Sequence, residues 1–298
     1  MGVSPHFRHH RFVLVSVLVL TAACAHVAER TPLPAELADE TSVLGIPRAR
    51  QWGDAPAPWD HDWFKKSKAE LKERYTGIYG RRHSYLAISG GGENGAFAAG
   101  LLIGWTEAGT RPEFTAVTGI SAGALVAPFA FLGPEYDHVL SVVSKDLKAD
   151  AVYKERRLIR ALRTNAMANT EPLKALIAKY VDEEVMHKIA AAHRDGRSLN
   201  IGTANLDSMR PVIWRLGPIA NSGHPDALEL IRKILLASAS IPAAFPPVLI
   251  PVEADGKMYD ELHVDGGAAA QVFLYPVGVD FEQVIEKLEV PGKPKVYI

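Results

Sequence analysis

Apolar residues along this chain follow two different periods. Some form short unbroken runs, which are typical of buried strands, and others recur every three or four positions, as on one face of a helix. The strand-like runs lie at 85–88, 114–117, 199–204, 212–216, 245–250, 258–264 and 295–298, and the helix-like segments at 64–75, 97–105, 135–147, 170–181, 182–196, 227–239 and 281–288. Strands that alternate with helices predict an α/β fold with a mainly parallel sheet.

Two of the predicted strand-to-helix turns are rich in glycine. The run at 85–88 leads into Gly-Gly-Gly-Glu-Asn-Gly at 90–95, and its unobstructed N–H groups precede a helix, whose dipole favours negative charge there. The run at 114–117 leads into Gly-Ile-Ser-Ala-Gly at 119–123, which places Ser121 between two glycines in the pattern of a nucleophile elbow. One turn offers a nucleophile and the other a place for an oxyanion, and this combination indicates acyl transfer.

The glycine-rich turn also matches a second kind of site. Gly90, Gly92 and Gly95 satisfy the Gly-x-Gly-x-x-Gly pattern of dinucleotide-binding proteins. Those proteins have an acidic residue at the end of the second strand, where it holds the ribose, whereas Glu113 precedes the second predicted strand here. A nucleotide-binding module stays open as an alternative.

A catalytic serine needs a base, which in the α/β-hydrolases is a histidine that follows the acid along the chain. The last histidine here is His263, and no histidine follows Asp265; His193 or His224 would need a different order. We therefore predict that none of the histidines is catalytic. The remaining candidate is Asp265, which begins an Asp-Gly-Gly turn after a strand-like run. Such a turn is common by itself, so its importance depends on the two other motifs.

The three motifs together resemble those of the patatin-like phospholipase family. They are Gly-Gly-Gly-x-x-Gly at 90–95, Gly-x-Ser-x-Gly at 119–123 and Asp-Gly-Gly at 265–267, and the segment at 240–248 is also similar to the run before that family's catalytic aspartate. The resemblance covers roughly 84–276. It implies a three-layer α/β sandwich and a serine lipid acyl hydrolase, a phospholipase A or lipase-type esterase, that uses a Ser–Asp dyad without histidine, metal or cofactor. A catalytically inactive structural lipoprotein on the same fold stays open.

The resemblance also implies roles for individual residues. Ser121 is expected to be the nucleophile and Asp265 the base that activates it. Family members often have Arg or Lys where this chain has Asn94, a departure that weakens any claim to phosphate recognition but not the acyl chemistry, which uses backbone donors. The expected oxyanion-hole residues are Gly90, Gly91, Gly92 and Ala122, and the motif glycines are Gly95, Gly119, Gly123, Gly266 and Gly267.

The N-terminus has the organisation of an export signal. Basic residues at 1–11 precede an almost entirely apolar stretch at 12–23, which is shorter than the roughly 20 residues that a membrane-spanning helix needs. The only cysteine, Cys24, follows small residues, as in the lipobox of bacterial lipoproteins, although Thr21 stands where leucine is more common. We predict a signal peptide at 1–24 with lipidation of Cys24; an ordinary signal peptide cut just before the cysteine is the alternative.

Composition suggests how the rest of the chain is organised. Prolines scattered through 25–63 predict a tether, followed by one catalytic domain at 64–298, and the strand-like end of the chain leads us to expect that the native protein continues. The basic segment at 151–169 predicts either a cationic surface for anionic lipid or a solvated helix packed on the core.

The net charge and the predicted lipid anchor indicate what the protein binds and where in the cell it lies. A net charge of −1 argues against nucleic acid, which needs a basic surface. We expect a membrane phospholipid or another lipid ester as substrate. The predicted anchor places the protein in the bacterial cell envelope, on the periplasmic side or at the outer membrane.

Overall fold

The computed structural model describes residues 30–148, 169–274 and 277–298. In these ranges the strands are β1 (Arg50–Trp52), β2 (Ser84–Ile88), β3 (Ala116–Ile120), β4 (Ser198–Asn205), β5 (Arg210–Arg215), β6 (Val248–Ala254), β7 (Lys257–Asp265) and β8 (Lys295–Tyr297). The α-helices are α1 (Asp60–Lys65), α2 (Lys68–Arg74), α3 (Gly95–Glu107), α4 (Ala122–Leu132), α5 (Asp137–Lys148), α6 (Glu171–Tyr180), α7 (Glu183–Arg194), α8 (Leu216–Ala220), α9 (Ala227–Ser238) and α10 (Phe281–Lys287). The predicted alternation is observed, but α8 was missed because Leu216 was assigned to the preceding strand, and β1 was missed because it lies in the segment predicted as a tether.

The described strands form one mixed sheet. Their order is β1-β5-β4-β3-β2-β8, and β7 pairs with both β4 and β6. Strands β8, β2, β3 and β4 pair in parallel, whereas β5 and β7 run antiparallel to β4. Because β1 is antiparallel to β5 and β6 to β7, these two point the same way as the central strands. Most of the described strands therefore share one direction, which confirms the predicted mainly parallel sheet.

One edge of β4 carries two partners end to end. Its first half pairs with β3, with Ile120 opposite Gly202, and its last residues pair with β7, with Asp265 opposite Thr203. Successive residues of a strand are about 3.3 Å apart along its axis. The carboxyl ends of β3 and β7 consequently meet at neighbouring positions of β4, although they are far apart in the sequence.

Helices cover both faces of the sheet. On β2, Leu86 and Ile88 belong to the main hydrophobic core, which also contains most of α4. Tyr85 packs edge-on against Phe281 of α10, with 5.2 Å between the ring centroids. Alternate residues of a strand point to opposite faces, so α4 and α10 lie on opposite sides of the sheet. This arrangement is the three-layer sandwich that was predicted.

The segment predicted as a tether is part of the domain wherever the structure describes it. Strand β1 pairs with β5, and isolated bridges join Pro32 to β7 and Ser42 to β6. Val43 and Ile46 are buried in the main core. The prediction of a tether is therefore wrong for residues 30–63. Single apolar side chains without a regular period fix this proline-containing segment against the sheet, and the domain includes it.

Three predictions concern residues outside the described ranges. They are the signal peptide with its lipidated Cys24, the start of the tether at 25–29, and nearly all of the basic segment at 151–169. These stay predictions. Within the ranges that the structure covers, no helix combines the length and the apolar character that crossing a bilayer requires.

Candidate active site

Ser121 occupies the sharp turn between β3 and α4. Its backbone has φ 57° and ψ −127°, a conformation that costs a residue with a side chain about 1–3 kcal/mol. The flanking glycines permit this turn. A Cβ on Gly119 would lie 2.6 Å from the carbonyl oxygen of Gly123, and a Cβ on Gly123 would lie 2.4 Å from that of Ile88. Neither position can carry a side chain without moving the backbone, so both glycines are required by the close packing of α4 on the sheet.

Asp265 is the last residue of β7. It lies beside Ser121 because β3 and β7 end at neighbouring positions of β4. The Ser121 hydroxyl lies close enough to the Asp265 carboxyl group to act on the pKa of that group. Asp265 Oδ1 also accepts the N–H of Gly267 at 2.7 Å. The chain can approach β4 this closely because residue 266 is glycine: a Cβ there would lie 2.5 Å from the carbonyl oxygen of Gly202.

Burial sets the basicity of Asp265. Its side chain and that of Ser121 are each only 4% exposed. Loss of hydration raises the pKa of the Asp265 carboxyl group above its ordinary value, while the hydrogen bonds from Ser121 and Gly267 act in the opposite direction. A carboxylate with a raised pKa holds a proton more tightly and is the better base towards a hydroxyl group.

The glycine-rich loop after β2 runs alongside this turn. A Cβ on Gly90 would lie 3.0 Å from Cβ of Ser121, so the loop and the turn are in contact. The N–H of Gly90 donates to the carbonyl oxygen of Gln271 at 3.3 Å. Gly90 was predicted to supply an oxyanion-hole donor; since its N–H is already bonded to the segment that follows β7, the structure gives it a positioning contact instead.

The three other predicted donors have a different environment. Within the described part of the chain, no acceptor is found for the N–H groups of Gly91, Gly92 or Ala122. Gly91 and Gly92 have φ 141° and 54°, which favours glycine at both positions. Ala122 is the first residue of α4, where N–H groups have no partner inside the helix. These three N–H groups therefore have no hydrogen-bond partner within the described structure, and their role as oxyanion donors stays a prediction.

Two serines complete the site: Ser238, the last residue of α9, which the sequence analysis did not select, and Ser240, which begins the segment 240–248 noted there. The hydroxyl of Ser238, which is fully buried, donates to the carbonyl of Gly202 at 2.7 Å and accepts the N–H of Ser121 at 3.0 Å. The carbonyl of Ser240 accepts the N–H of Asp265 at 2.9 Å. The end of α9 therefore fixes the backbone of both residues. The apolar periodicity of α9 does not distinguish Ser238, so no sequence pattern pointed to it.

His263, two residues before Asp265, is fully buried and bonded elsewhere. Its ring nitrogens contact Thr203 Oγ1 and a carboxylate oxygen of Glu261, each at 3.0 Å. Glu261 in turn forms an ion pair with Arg50. Burial lowers the pKa of His263, although the neighbouring Glu261 opposes this. Both ring nitrogens are engaged in this network, which leaves neither free to take a proton from Ser121.

The structure offers little support for a metal or nucleotide site. Among the described residues, no group of three or more His, Cys, Asp or Glu side chains is arranged to hold a metal ion. Strand β3 leads directly into Ser121. Glu113 precedes that strand and forms an ion pair with Arg197 at 2.9 Å. Among the described residues, the end of β3 therefore carries no acidic side chain that could bind a ribose.

Comparison with known proteins defines the class. The family model of patatin-like phospholipases matches residues 86–277, and the chain belongs to this family. A search of the curated proteins found no match.

Among solved structures, the chain is similar to VipD from Legionella pneumophila. The two are 12% identical, with a TM-score of 0.38, over 68% of this chain and 49% of that chain. The chain thus spans about half the length of this solved relative.

Proposed function

We propose that this protein is a serine lipid acyl hydrolase, of the phospholipase A or lipase type, in which Ser121 is the nucleophile and Asp265 its base. The observation that supports the proposal is the position of these two buried residues at the ends of β3 and β7, which meet at neighbouring residues of β4. A serine hydroxyl is a weak nucleophile until a neighbour accepts its proton. Asp265 is the group placed to do so, and desolvation makes it more basic than an exposed aspartate.

The proposed reaction has two steps. In the first, Ser121 Oγ attacks the ester carbonyl carbon while Asp265 takes the hydroxyl proton, and the proton passes on to the leaving alcohol. The N–H groups of Gly91, Gly92 and Ala122 bind the oxyanion, a contribution of about 3–4 kcal/mol per donor in comparable sites. In the second step, water activated by Asp265 hydrolyses the acyl-enzyme and frees Ser121.

We infer a membrane phospholipid or a similar lipid ester as the substrate and expect no role for nucleic acid. The supporting observations are the family match and the near-zero net charge. The envelope location and the lipid anchor are proposed on the position of Cys24 after an apolar stretch. Cys24→Ser should move the protein out of the membrane fraction; unchanged membrane association without lipid on the mature N-terminus would contradict the anchor.

A fluorophosphonate probe followed by a substrate panel tests the activity. We expect the probe to label Ser121, identified by mass spectrometry, and expect hydrolysis of phospholipid vesicles and simple esters by the wild type but not by Ser121→Ala. Stabilisation by nucleotides without labelling would favour a nucleotide-binding module. A folded protein that is neither labelled nor stabilised would be an inactive member of the family.

A further inference from the structure

A large open cavity lies away from Ser121 and Asp265, neither of which lines it. Its volume is about 1060 Å³, comparable to a site for a small molecule. Aromatic side chains, among them Trp59 and Trp63, form part of its wall. Guanidinium groups form another part, and we call this space the arginine cavity after Arg48, Arg74 and Arg215.

These three arginines lack ionic partners. Among the described residues, no carboxylate forms an ion pair with Arg48, Arg74 or Arg215. The Nη1 atom of Arg215 is buried and has no hydrogen-bond partner in the described structure. The two remaining arginines on the wall have polar partners: Arg194 donates a hydrogen bond to Asn221, and Arg197 forms an ion pair with Glu113.

The electrostatics of the wall are one-sided. Asp60 is the sole carboxyl group among the described residues that line the cavity, and burial raises its pKa, which makes it easier to neutralise. Burial and the nearby charges of Arg215 and Arg74 lower the pKa of His193 to about 4, so this ring stays neutral at physiological pH. Burial lowers the pKa of Arg215, and repulsion by Arg48 and Arg74 acts in the same direction, whereas Tyr75 and Asp60 act in the opposite direction.

A cluster of like charges with an unpaired buried donor is costly unless a ligand completes it. Guanidinium groups present several N–H donors in a planar fork that matches oxyanions, phosphate above all. We propose that the arginine cavity binds a phosphate group through Arg48, Arg74 and Arg215. The phosphate is either free or the headgroup of a lipid, whose apolar part would lie against Trp59 and Trp63. This site is separate from the proposed catalytic residues and does not depend on them.

Thermal unfolding of the full chain, titrated with two probes, tests the proposal. The first probe is inorganic phosphate, with chloride at equal ionic strength as the reference. The second is a short-chain diacylglycerol phosphate, added below its micelle concentration to protein carrying Ser121→Ala so that it is not hydrolysed. We expect at least one probe to raise the melting temperature in a saturable way, because a ligand that binds only the folded state stabilises it.

The variant that removes the proposed phosphate contacts combines Arg48→Gln with Arg74→Gln. Both side chains are exposed, so their replacement should not unfold the domain. We expect the half-saturating concentration to rise at least about tenfold in it. Lys72→Gln is the matched control, because it removes the same charge from an exposed position of α2 that does not line the cavity.

Each result decides between outcomes. A response to phosphate alone identifies a free phosphate site, and a response to the lipid alone that is weakened in the double variant identifies a headgroup site in the arginine cavity. A response to neither probe overturns the proposal. Equal responses in the double variant and in Lys72→Gln also overturn it, because the binding would then not involve the arginine cavity.

Discussion

The proposed catalytic site and the arginine cavity differ in how their polar groups are held. At the proposed catalytic site the backbone N–H groups of Ser121 and Asp265 are bonded to Ser238 at the end of α9 and to Ser240 just after it. In the arginine cavity, Arg215 has a buried N–H group without a partner. The first site is organised before any ligand arrives, as electrostatic catalysis requires, whereas the second needs a ligand to satisfy it.

The two sites also differ in how the sequence builds them. The turn at Ser121 depends on contacts between backbone atoms of residues close to its motif, so it tolerates almost no added volume. The cavity wall comes from segments spread over 44–78, 193–225 and 279–288, and its arginines range from the exposed Arg48 and Arg74 to Arg215, whose Nη1 atom is buried. Substitutions should therefore act mainly on catalysis at the first site and on binding at the second.

Gly123→Ala should have the largest effect. The added methyl group would lie 2.4 Å from the carbonyl oxygen of Ile88, so α4 and the turn at Ser121 must shift apart. We expect esterase activity to fall to background and probe labelling to be lost. Gly104→Ala is the matched control: it lies inside α3 with nothing within 4 Å of its Cβ, and it should keep activity and gain about 0.5–1 kcal/mol of stability. Equal activity in the two variants would show that the packing at Gly123 is not critical.

Ser238→Ala should have the next largest effect. It leaves the N–H of Ser121 and the carbonyl of Gly202 without their shared partner, at a cost of about 1–3 kcal/mol. Because the contact orients the nucleophile and touches no substrate, kcat should fall while KM stays nearly constant. Ser240→Ala is the control, since it removes only a bond to the carbonyl of Leu236 and keeps the backbone contact to Asp265. A larger loss of kcat in Ser240→Ala would contradict this account.

The pH dependence of the rate should reveal the raised pKa of Asp265. The base must be ionised, so kcat/KM should fall about tenfold per pH unit as pH drops through that pKa, which lies above the ordinary value for aspartate. Stability should change in the opposite direction. The folded protein binds this proton more tightly than the unfolded chain, so the stabilising contribution of Asp265 is present at low pH and lost as pH rises through the raised pKa. A rate that keeps its full value down to the ordinary pKa of aspartate would exclude Asp265 as the base.

Asn94→Ala should have the smallest effect. Asn94 lies close to Gly91, but the proposed oxyanion donors are backbone groups. We expect the rate on short esters to change only a few-fold. A loss as large as that of Ser121→Ala would show that the Asn94 side chain takes part in the reaction.

Local patterns predicted the motifs well because each depends on neighbouring residues. Gly119 and Gly123 are needed within a few positions of Ser121, and the periodicity of α9 and β7 is visible in the sequence alone. The contact between Ser121 and Asp265 is different. It depends on β3 and β7 sharing one edge of β4, which no local period encodes, and it was expected only from the order of motifs in a family.

The features that the sequence did not predict all depend on tertiary contacts. Ser238 matters because of where α9 ends relative to β4, and the bond from Gly90 to Gln271 arises from a loop that crosses the site. Residues 30–63 were assigned to a tether because prolines interrupt their pattern, yet scattered side chains such as Val43 are buried in the core. In each case the deciding contact joins segments that are distant in sequence.

The most direct measurement compares kcat/KM of Asp265→Asn and His263→Gln on one ester, with folding checked by thermal unfolding. Asparagine keeps the shape of Asp265 and removes its basicity. We predict that Asp265→Asn lowers kcat/KM by about 10²–10⁴-fold while the protein stays folded, and that His263→Gln changes stability more than turnover per folded molecule. Full activity in Asp265→Asn together with its loss in folded His263→Gln would contradict the Ser121–Asp265 dyad and indicate a histidine base.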